Sequence, residues 1–166
     1  MYNLNSLLLY SLFGFILEST VFKITHSKKH SGISYGPFTY VYGFGIIALI
    51  LLKKHFLDKL KINKYLKILI TYLSCMLILT IIEYLGGTIL NYLFDIDMWN
   101  YTKKTYNFGK YICLELSLIW GLLGTIYIYY LKGFTDKIIS LIPPNFTLAI
   151  LIINILDIIF VFINKF

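Results

Sequence analysis

The chain has 166 residues, of which 58% are apolar or aromatic and only 14% are charged. This composition lies well outside the range of soluble globular domains and is typical of a membrane protein. The net charge of +7 rests on lysines alone, since the chain has no arginine, and these lysines fall in short connectors between apolar runs. Because a nucleic-acid-binding protein needs a basic face that meets phosphates, the sequence argues against a nucleic-acid partner.

Five apolar runs follow one another along the chain, at about 4–24, 38–52, 67–90, 111–131 and 146–163. A bilayer core of about 30 Å needs about 20 helical residues, so these runs predict membrane-spanning helices. The second run is short, which predicts tilting, local thinning of the bilayer or entry through the Gly-Pro segment before it. The first run has no basic start and carries Glu18, so we interpret it as mature protein and not as an export signal. We expect a single all-α transmembrane domain with about five helices over residues 1–166.

Five spans place the two termini on opposite sides of the membrane. We call the side of the N-terminus side A and the other side B. The lysines divide almost evenly between the two sides, but a dense cluster from Lys53 to Lys67 lies on side A. Because cytoplasmic loops carry an excess of lysine, this cluster favours a cytoplasmic N-terminus.

Carboxylates lie inside the apolar runs at Glu18, Glu83, Glu115 and Asp157. A charge at the bilayer centre costs at least about 2.5 to 3.5 kcal/mol, and the interior of the runs offers no basic partner. All of these acids fall in the half of the membrane nearer side B, which also holds the connectors SGISYGP and WNYTKKTYN. We therefore predict that the acids and these connectors form one pocket.

Helical spacing divides the acids into two kinds. Small or polar residues share a helix face with three of them: Ser11 and Gly14 with Glu18, then Thr80, Gly87 and Asn91 with Glu83, and Asn154 and Asn164 with Asp157. Such faces suit contact with other helices or with water. Glu115 differs, because the small residues Ser117, Gly121 and Gly124 point nearly the opposite way. The alternative is that the acids are protonated helix contacts that handle no transported species.

The glycines and aromatic residues of the connectors suggest local roles. Gly32 and Gly36-Pro37 are predicted to let the backbone turn sharply or dip into the membrane. Gly43 and Gly45 are predicted to let the second span pack closely against the acid-bearing helices. Tyrosine and tryptophan prefer the membrane interface. The aromatic residues of the two connectors therefore have a simpler interpretation as interface anchors: Trp99, Tyr101 and Tyr106 on one, and Tyr35, Tyr40 and Tyr42 on the other.

The sequence predicts no metal site, no cofactor and no nucleotide-binding loop. His26 and His30 are four residues apart but have no third ligand nearby. Cys75 and Cys113 lie roughly 15 Å apart in depth by helical rise, beyond the reach of a disulfide, so we expect free thiols. Neither a Gly-Lys-Ser/Thr loop nor a Gly-x-Ser-x-Gly elbow occurs, although a membrane enzyme that uses carboxylates stays open as an alternative.

The stretches FGFILE, SGISYGPFTYVYGFG, EYLGG and WNYTKKTYNFGKYICLELSLIWG occur in this order over about residues 10–125. Together they resemble a bacterial family of putative ABC-transporter permeases, the CmpB-like type IV group. The resemblance implies functional positions at Glu18, Gly32, Gly36, Pro37, Tyr42, Gly43, Gly45, Glu83, Trp99, Tyr101, Asn107, Cys113, Trp120 and Gly121. Two positions depart from the family pattern. Asn100 replaces an acid, and the arginine before the Ile-Cys-Leu run is missing, with Lys110 and Tyr111 nearby.

The resemblance implies a permease-like component of an ABC-type transporter in the inner membrane of a bacterial cell. The sequence carries no ATPase motif, so we expect a separate ATPase subunit that docks on the connector from Lys53 to Lys67. The candidate pocket consists of Glu18, Glu83, Asp157, Gly32, Gly36, Pro37, Tyr42, Gly43, Gly45, Trp99, Tyr101, Asn107 and Trp120. A non-transporting adaptor or regulatory subunit is the alternative function, and a homo-oligomer stays open.

Overall fold

A computed structural model describes residues 1–25 and 31–165, which leaves His26 and His30 outside the described residues. Within these residues, the regular secondary structure is helical apart from one hairpin of two short strands. Its elements are α1 (Tyr2–Ile24), α2 (Tyr40–His55), α3 (Lys64–Phe94), β1 (Asn107–Phe108), β2 (Ile112–Cys113), α4 (Leu114–Ile126), α5 (Lys132–Ser140) and α6 (Pro144–Lys165). A 3₁₀ turn, Leu57–Lys59, follows α2, and a π-helical turn, Tyr127–Leu131, joins α4 to α5.

Five helical stretches within the described residues are long and apolar enough to cross a membrane: Tyr2–Ile24, Tyr40–Lys59, Lys64–Phe94, Leu114–Ser140 and Pro144–Asn164. The predicted fold class, an all-α protein with about five transmembrane helices, is confirmed. The second stretch is longer than the run at 38–52 predicted, because α2 continues through the lysines to His55 and the 3₁₀ turn extends it to Lys59. The added residues include Lys53, Lys54 and Lys59, so tilting or local thinning of the bilayer at this span stays a prediction.

Local chemistry fixes several helix ends. The side chain of Asn63 accepts a hydrogen bond from the backbone N–H of Leu66 at 2.8 Å and so caps the start of α3. Pro144, which has no N–H to leave unsatisfied, occupies the first position of α6. The fourth span begins at Leu114 and not at 111, because residues 107–113 form the hairpin and Cys113 is extended.

The chain divides into two compact units. The first consists of Met1–Ile46 and the chain from Lys137 onward, and in it α1 packs against α6. Near the start of α1 the buried Asn5 amide donates to the carbonyl oxygens of Ile139 and Ile142, each at 3.2 Å. The Thr147 hydroxyl donates to the Asn5 side-chain oxygen in return. These bonds join the start of α1 to the turn between α5 and α6, where the Ile139 carbonyl also accepts from the Ile142 N–H at 3.3 Å.

The second unit, Ile47–Asp136, is built on the pairing of α3 with α4. Ser117, Gly121 and Gly124 are buried on α4, and a Cβ at Gly124 would lie 2.7 Å from the Cβ of Cys75. Small residues on one face thus allow close helix contact, as in other membrane helix pairs. Cys75 and Cys113 are both buried and free, which confirms the prediction of free thiols.

Candidate functional site

In the first unit, Glu18 accepts a hydrogen bond from the loop that joins α1 to α2. The Ser31 hydroxyl donates to Glu18 Oε2 at 2.6 Å, and the hydroxyls of Ser31 and Thr39 are 2.7 Å apart. Since the single hydroxyl proton of Ser31 goes to Glu18, Thr39 donates to Ser31. The backbone N–H of Thr39 also donates to the Ser11 carbonyl of α1 at 3.0 Å. Both ends of the loop segment 31–39 are therefore tied to α1, one of them through Glu18.

Asp157 of α6 accepts hydrogen bonds from the middle of the same loop. The backbone N–H groups of Tyr35 and Gly36 donate to its two carboxylate oxygens, at 3.2 Å and 2.9 Å. One turn earlier on α6, the buried Asn154 accepts a hydrogen bond from the Tyr40 hydroxyl. Charge-assisted bonds to backbone N–H groups are among the stronger hydrogen bonds of proteins. The loop is thus held between an acid of α1 and an acid of α6.

The loop needs glycine at Gly32. Its φ is +75°, in the left-handed region, and a Cβ there would lie 2.6 Å from the Phe38 carbonyl oxygen. At Gly36 a Cβ would lie 3.3 Å from Asp157 Oδ2, so any side chain would press on the carboxylate. Pro37 follows directly. These positions together bring the loop backbone up to the α6 acid.

Close packing of α2 on α1 supports this arrangement. A Cβ at Gly43 would lie 2.5 Å from both the Leu7 carbonyl oxygen and the Ser11 hydroxyl. The ring of Tyr42 lies against Gly14 of α1, where an added Cβ would collide with it. Gly45 is buried as well. The second span thus approaches α1, which carries Glu18, at the glycine that the sequence singled out.

In the second unit, Glu83 of α3 is buried, with 6% of its surface exposed. Tyr101 Oη donates to Oε1 and Trp120 Nε1 donates to Oε2, both at 3.0 Å. Tyr101 comes from the connector after α3, whereas Trp120 comes from α4. Glu83 therefore joins two helices and a connector through donors that carry no charge.

A second carboxylate, Asp97, lies in the connector after α3. It accepts hydrogen bonds from the Tyr111 hydroxyl at 2.8 Å and from the Asn91 amide at 3.1 Å, and it forms an ion pair with Lys110 at 2.5 Å. The hydrogen bond to Asp97 is the main factor that raises the pKa of Lys110, so this lysine stays charged at neutral pH. Burial is the main factor that raises the pKa of Tyr111.

Asp97 is not among the predicted site residues, because an acid stands out in the sequence only inside an apolar run and Asp97 lies between two of them. At the two positions that depart from the family pattern, Lys110 pairs with Asp97, while Asn100 accepts hydrogen bonds from the Thr102 backbone N–H and hydroxyl. A pair separated by this many loop residues leaves no periodic signal in the sequence.

The remaining candidate residues make fewer contacts with the acids and connectors described above. Trp99 packs edge-on against the Tyr111 ring, with centroids 6.5 Å apart. Asn107 is exposed and donates to the Gly109 carbonyl within the hairpin. Glu115 is exposed on the face of α4 opposite the small residues, and Asn164, although it shares the spacing of Asp157, is exposed and donates back to its own helix.

The candidate acids are distributed over both units. The first contains Glu18 and Asp157, and the second contains Glu83 and Glu115. Within each unit the structure places a connector of side B against an acid: Ser31, Tyr35 and Gly36 in the first, and Tyr101 in the second. A single pocket that includes all of these residues stays a prediction.

The family model described as "Putative ABC-transporter type IV" matches residues 6–164. The chain belongs to that family. The expected family is thereby confirmed, and the match extends past the stretch of about 10–125 that carried the resemblance, so that it includes α6 and Asp157. Comparison with curated proteins returned no match, and neither did comparison with solved structures.

Membership of the ABC-transporter type IV family agrees with the fold. Its five long apolar helices and the family description together indicate a multi-pass membrane protein and a component of an ABC-type transporter. In this member of the family, acids within spans are hydrogen-bonded to connector residues.

Proposed function

We propose that this chain is the permease-like component of an ABC-type transporter in the inner membrane of a bacterial cell, and that a separate polypeptide supplies the ATPase. The observation that carries the proposal is the family match over residues 6–164, which overlaps each of the five long apolar helices in the described part of the chain. The sequence contains no Gly-Lys-Ser/Thr loop, the motif that cradles nucleotide phosphates in ATPases of this kind.

The connector between α2 and α3 is the proposed docking surface for that ATPase, with the N-terminus and this connector in the cytoplasm. Lys59, Lys61 and Lys64 are exposed on it. The acid of the connector, Asp58, is already paired with Lys53 at 2.6 Å. The surface therefore presents an excess of positive charge, which suits an acidic partner and agrees with the positive-inside rule.

Within the permease, we propose that Glu18, Glu83 and Asp157 handle a proton or cation during transport. The support is their position in apolar spans, where an ionised acid costs at least about 2.5 kcal/mol and is mostly retained for a function. Glu83 is the strongest of the three. It is buried, it bonds only to uncharged donors in the contacts described above, and it lies where the connector after α3 meets α4.

One observation favours the alternative function, a non-transporting adaptor or regulatory subunit. Both carboxylate oxygens of Glu83 have protein donors, and so do both of Asp157. Acids that only connect helices and loops would have this arrangement too. A substitution that keeps the hydrogen bonds but removes the charge separates the two functions.

Glu83→Gln and Glu18→Gln are the substitutions to use. In a glutamine at 83, the side-chain oxygen accepts from Trp120 while its NH₂ group donates to the Tyr101 hydroxyl, which can turn to accept. At 18, the Ser31 hydroxyl can still donate to the amide oxygen. Uptake or export by proteoliposomes reconstituted with the whole transporter should be abolished in both variants while the protein stays folded and inserted. Normal activity of both Gln variants, with loss only in Glu83→Leu, would support the adaptor.

Purification from native membranes tests the ATPase partner. The tagged chain is extracted in mild detergent, and co-purifying proteins are quantified by mass spectrometry. A stoichiometric ATPase should be present, and reversing the charge of Lys59, Lys61 and Lys64 should release it. Reversing Lys103 and Lys104, which lie on a different connector, is the matched control and should not. Purification of the chain alone or as a homo-oligomer would contradict the proposal.

A further inference from the structure

The connector before α4 contains a hairpin, residues 101–113, that is fixed at several points. Asn107 pairs with Cys113 and Phe108 pairs with Ile112 in antiparallel register. The ladder continues where the Leu114 N–H donates to the Tyr106 carbonyl at 2.9 Å. At the turn of the hairpin, the Tyr101 N–H donates to the Lys110 carbonyl at 2.8 Å. Tyr101 also donates to Glu83, and Lys110 forms an ion pair with Asp97. The hairpin therefore has a defined orientation.

One face of this hairpin is aromatic and exposed. Tyr106 is 66% exposed and Phe108 is 76% exposed. Residues two apart on a strand point to the same side, so these rings share a face while Asn107 points to the other. A phenylalanine exposed on a fixed hairpin has no role in the packing of the unit, and such surfaces usually contact something else.

The aromatic face is continuous with the apolar surface of α4. Tyr106 lies opposite Leu114 in the ladder, and directly opposite residues project to the same side of a sheet. Leu114, Leu118 and Leu122 are all exposed and follow one another at the four-residue spacing of a helix face. They belong to a stretch long and apolar enough to cross a membrane. The exposed leucines of α4 and the aromatic face of the hairpin therefore face the same medium. For a membrane-spanning helix, that medium is lipid.

Two lysines precede the aromatic residues in the same connector. Lys103 and Lys104 are exposed, and the ion pairs formed within residues 1–25 and 31–165 involve other lysines. The sequence has no acid between Asp97 and Glu115 that could neutralise them. Aromatic rings prefer the headgroup level of a bilayer, and lysines beside an anionic leaflet are attracted to its phosphates.

We propose that the hairpin is a lipid-binding element that lies in the membrane interface. Tyr106 and Phe108 insert at the boundary between headgroups and acyl chains, and Lys103 and Lys104 bind the phosphates of anionic phospholipids. Because Tyr101 and Lys110 connect the hairpin to Glu83 and Asp97, the bilayer surface positions the connector that contacts the buried acid.

Depth is tested with Phe108→Trp in the full chain, reconstituted in bilayers that contain phospholipids with brominated acyl chains. Asn107→Trp, one residue away on the opposite face, is the matched control. Tryptophan fluorescence of the Phe108→Trp variant should be quenched by the brominated chains more strongly than that of the native protein, whereas Asn107→Trp should be quenched by aqueous acrylamide. Equal aqueous quenching of both variants would overturn the proposal and favour a soluble protein as the occupant of this face.

Headgroup choice is tested with the same reporter and two brominated lipids, phosphatidylglycerol and phosphatidylcholine. The anionic lipid should bind more tightly, and replacing Lys103 and Lys104 by serine should lower the preference by about five-fold for each lysine. No preference in the Phe108→Trp protein, or a preference that survives both substitutions, would refute the role of the lysines. A spin label on Phe108→Cys gives the depth independently, since both native cysteines are buried.

Discussion

Replacing Glu83 by leucine and by glutamine should have very different effects on the free energy of unfolding. Both variants remove the carboxylate, so its own burial cost drops out of the comparison between them. Leucine leaves the Trp120 N–H, which lies 3.0 Å from a carboxylate oxygen in the native chain, without an acceptor, whereas the glutamine oxygen still accepts from it. The Tyr101 hydroxyl keeps a partner only in the glutamine variant, where it accepts from the side-chain NH₂ group. Leaving a buried donor unsatisfied costs about 1–3 kcal/mol, so Glu83→Leu should be about 1–3 kcal/mol less stable than Glu83→Gln.

The measurement is denaturant-induced unfolding of purified protein in mild detergent, followed by tryptophan fluorescence. Trp120 is itself a reporter, because its indole N–H is bonded to Glu83. The matched control is Glu115, an acid that is exposed on α4. Its leucine and glutamine variants should differ by no more than about 0.5 kcal/mol, as exposed substitutions usually do. Equal stability of Glu83→Leu and Glu83→Gln would refute the assignment of these two hydrogen bonds.

Three further predictions concern other contacts. Asp157→Asn keeps one acceptor for the two N–H groups of Tyr35 and Gly36, so it should lower the free energy of unfolding by about 1–3 kcal/mol. Hydrogen exchange at these two amides should become faster, and an unchanged exchange rate would contradict the two hydrogen bonds. Gly43→Ala should destabilise the chain and disrupt assembly, because its Cβ has no room, while Gly133→Ala, with open space around it, should be neutral or stabilising in thermal unfolding. The pKa of Lys110 is raised chiefly by its hydrogen bond to Asp97. The contribution of Lys110 to the stability of the folded chain should therefore stay constant through neutral pH and fall only above the ordinary lysine value of 10.5. The Tm difference between the native chain and Lys110→Met, measured as a function of pH, checks this, and a decrease of that difference near neutral pH would contradict it.

Several helix boundaries illustrate which local features could be predicted. The run at 111–131 is apolar at its start, yet its first residues form the second strand of the hairpin, since Ile112 and Cys113 pair with Phe108 and Asn107. Apolar residues with β-branched and aromatic neighbours suit a short strand as well as a helix end. Hydropathy alone therefore placed the span but not its start.

The acids differ in how far the sequence could explain them. Spacing on a helix predicted that Glu83 faces protein and that Glu115 does not, because residues three or four apart share a face. The same reasoning could not name Tyr101 or Trp120 as the donors, since one lies in an irregular connector and the other on a different helix.

Composition and hydropathy by themselves determined the membrane class, the five helices and the acids that need an explanation, because in a bilayer every backbone polar group must be satisfied within a helix or a closed sheet. Those features are local, and 20 consecutive apolar residues are enough to specify one. Only the tertiary structure decided what each acid binds. The bond from the Gly36 N–H to Asp157 joins residues 121 positions apart, and it depends on the course of a loop backbone and on the packing of helices that no periodicity records.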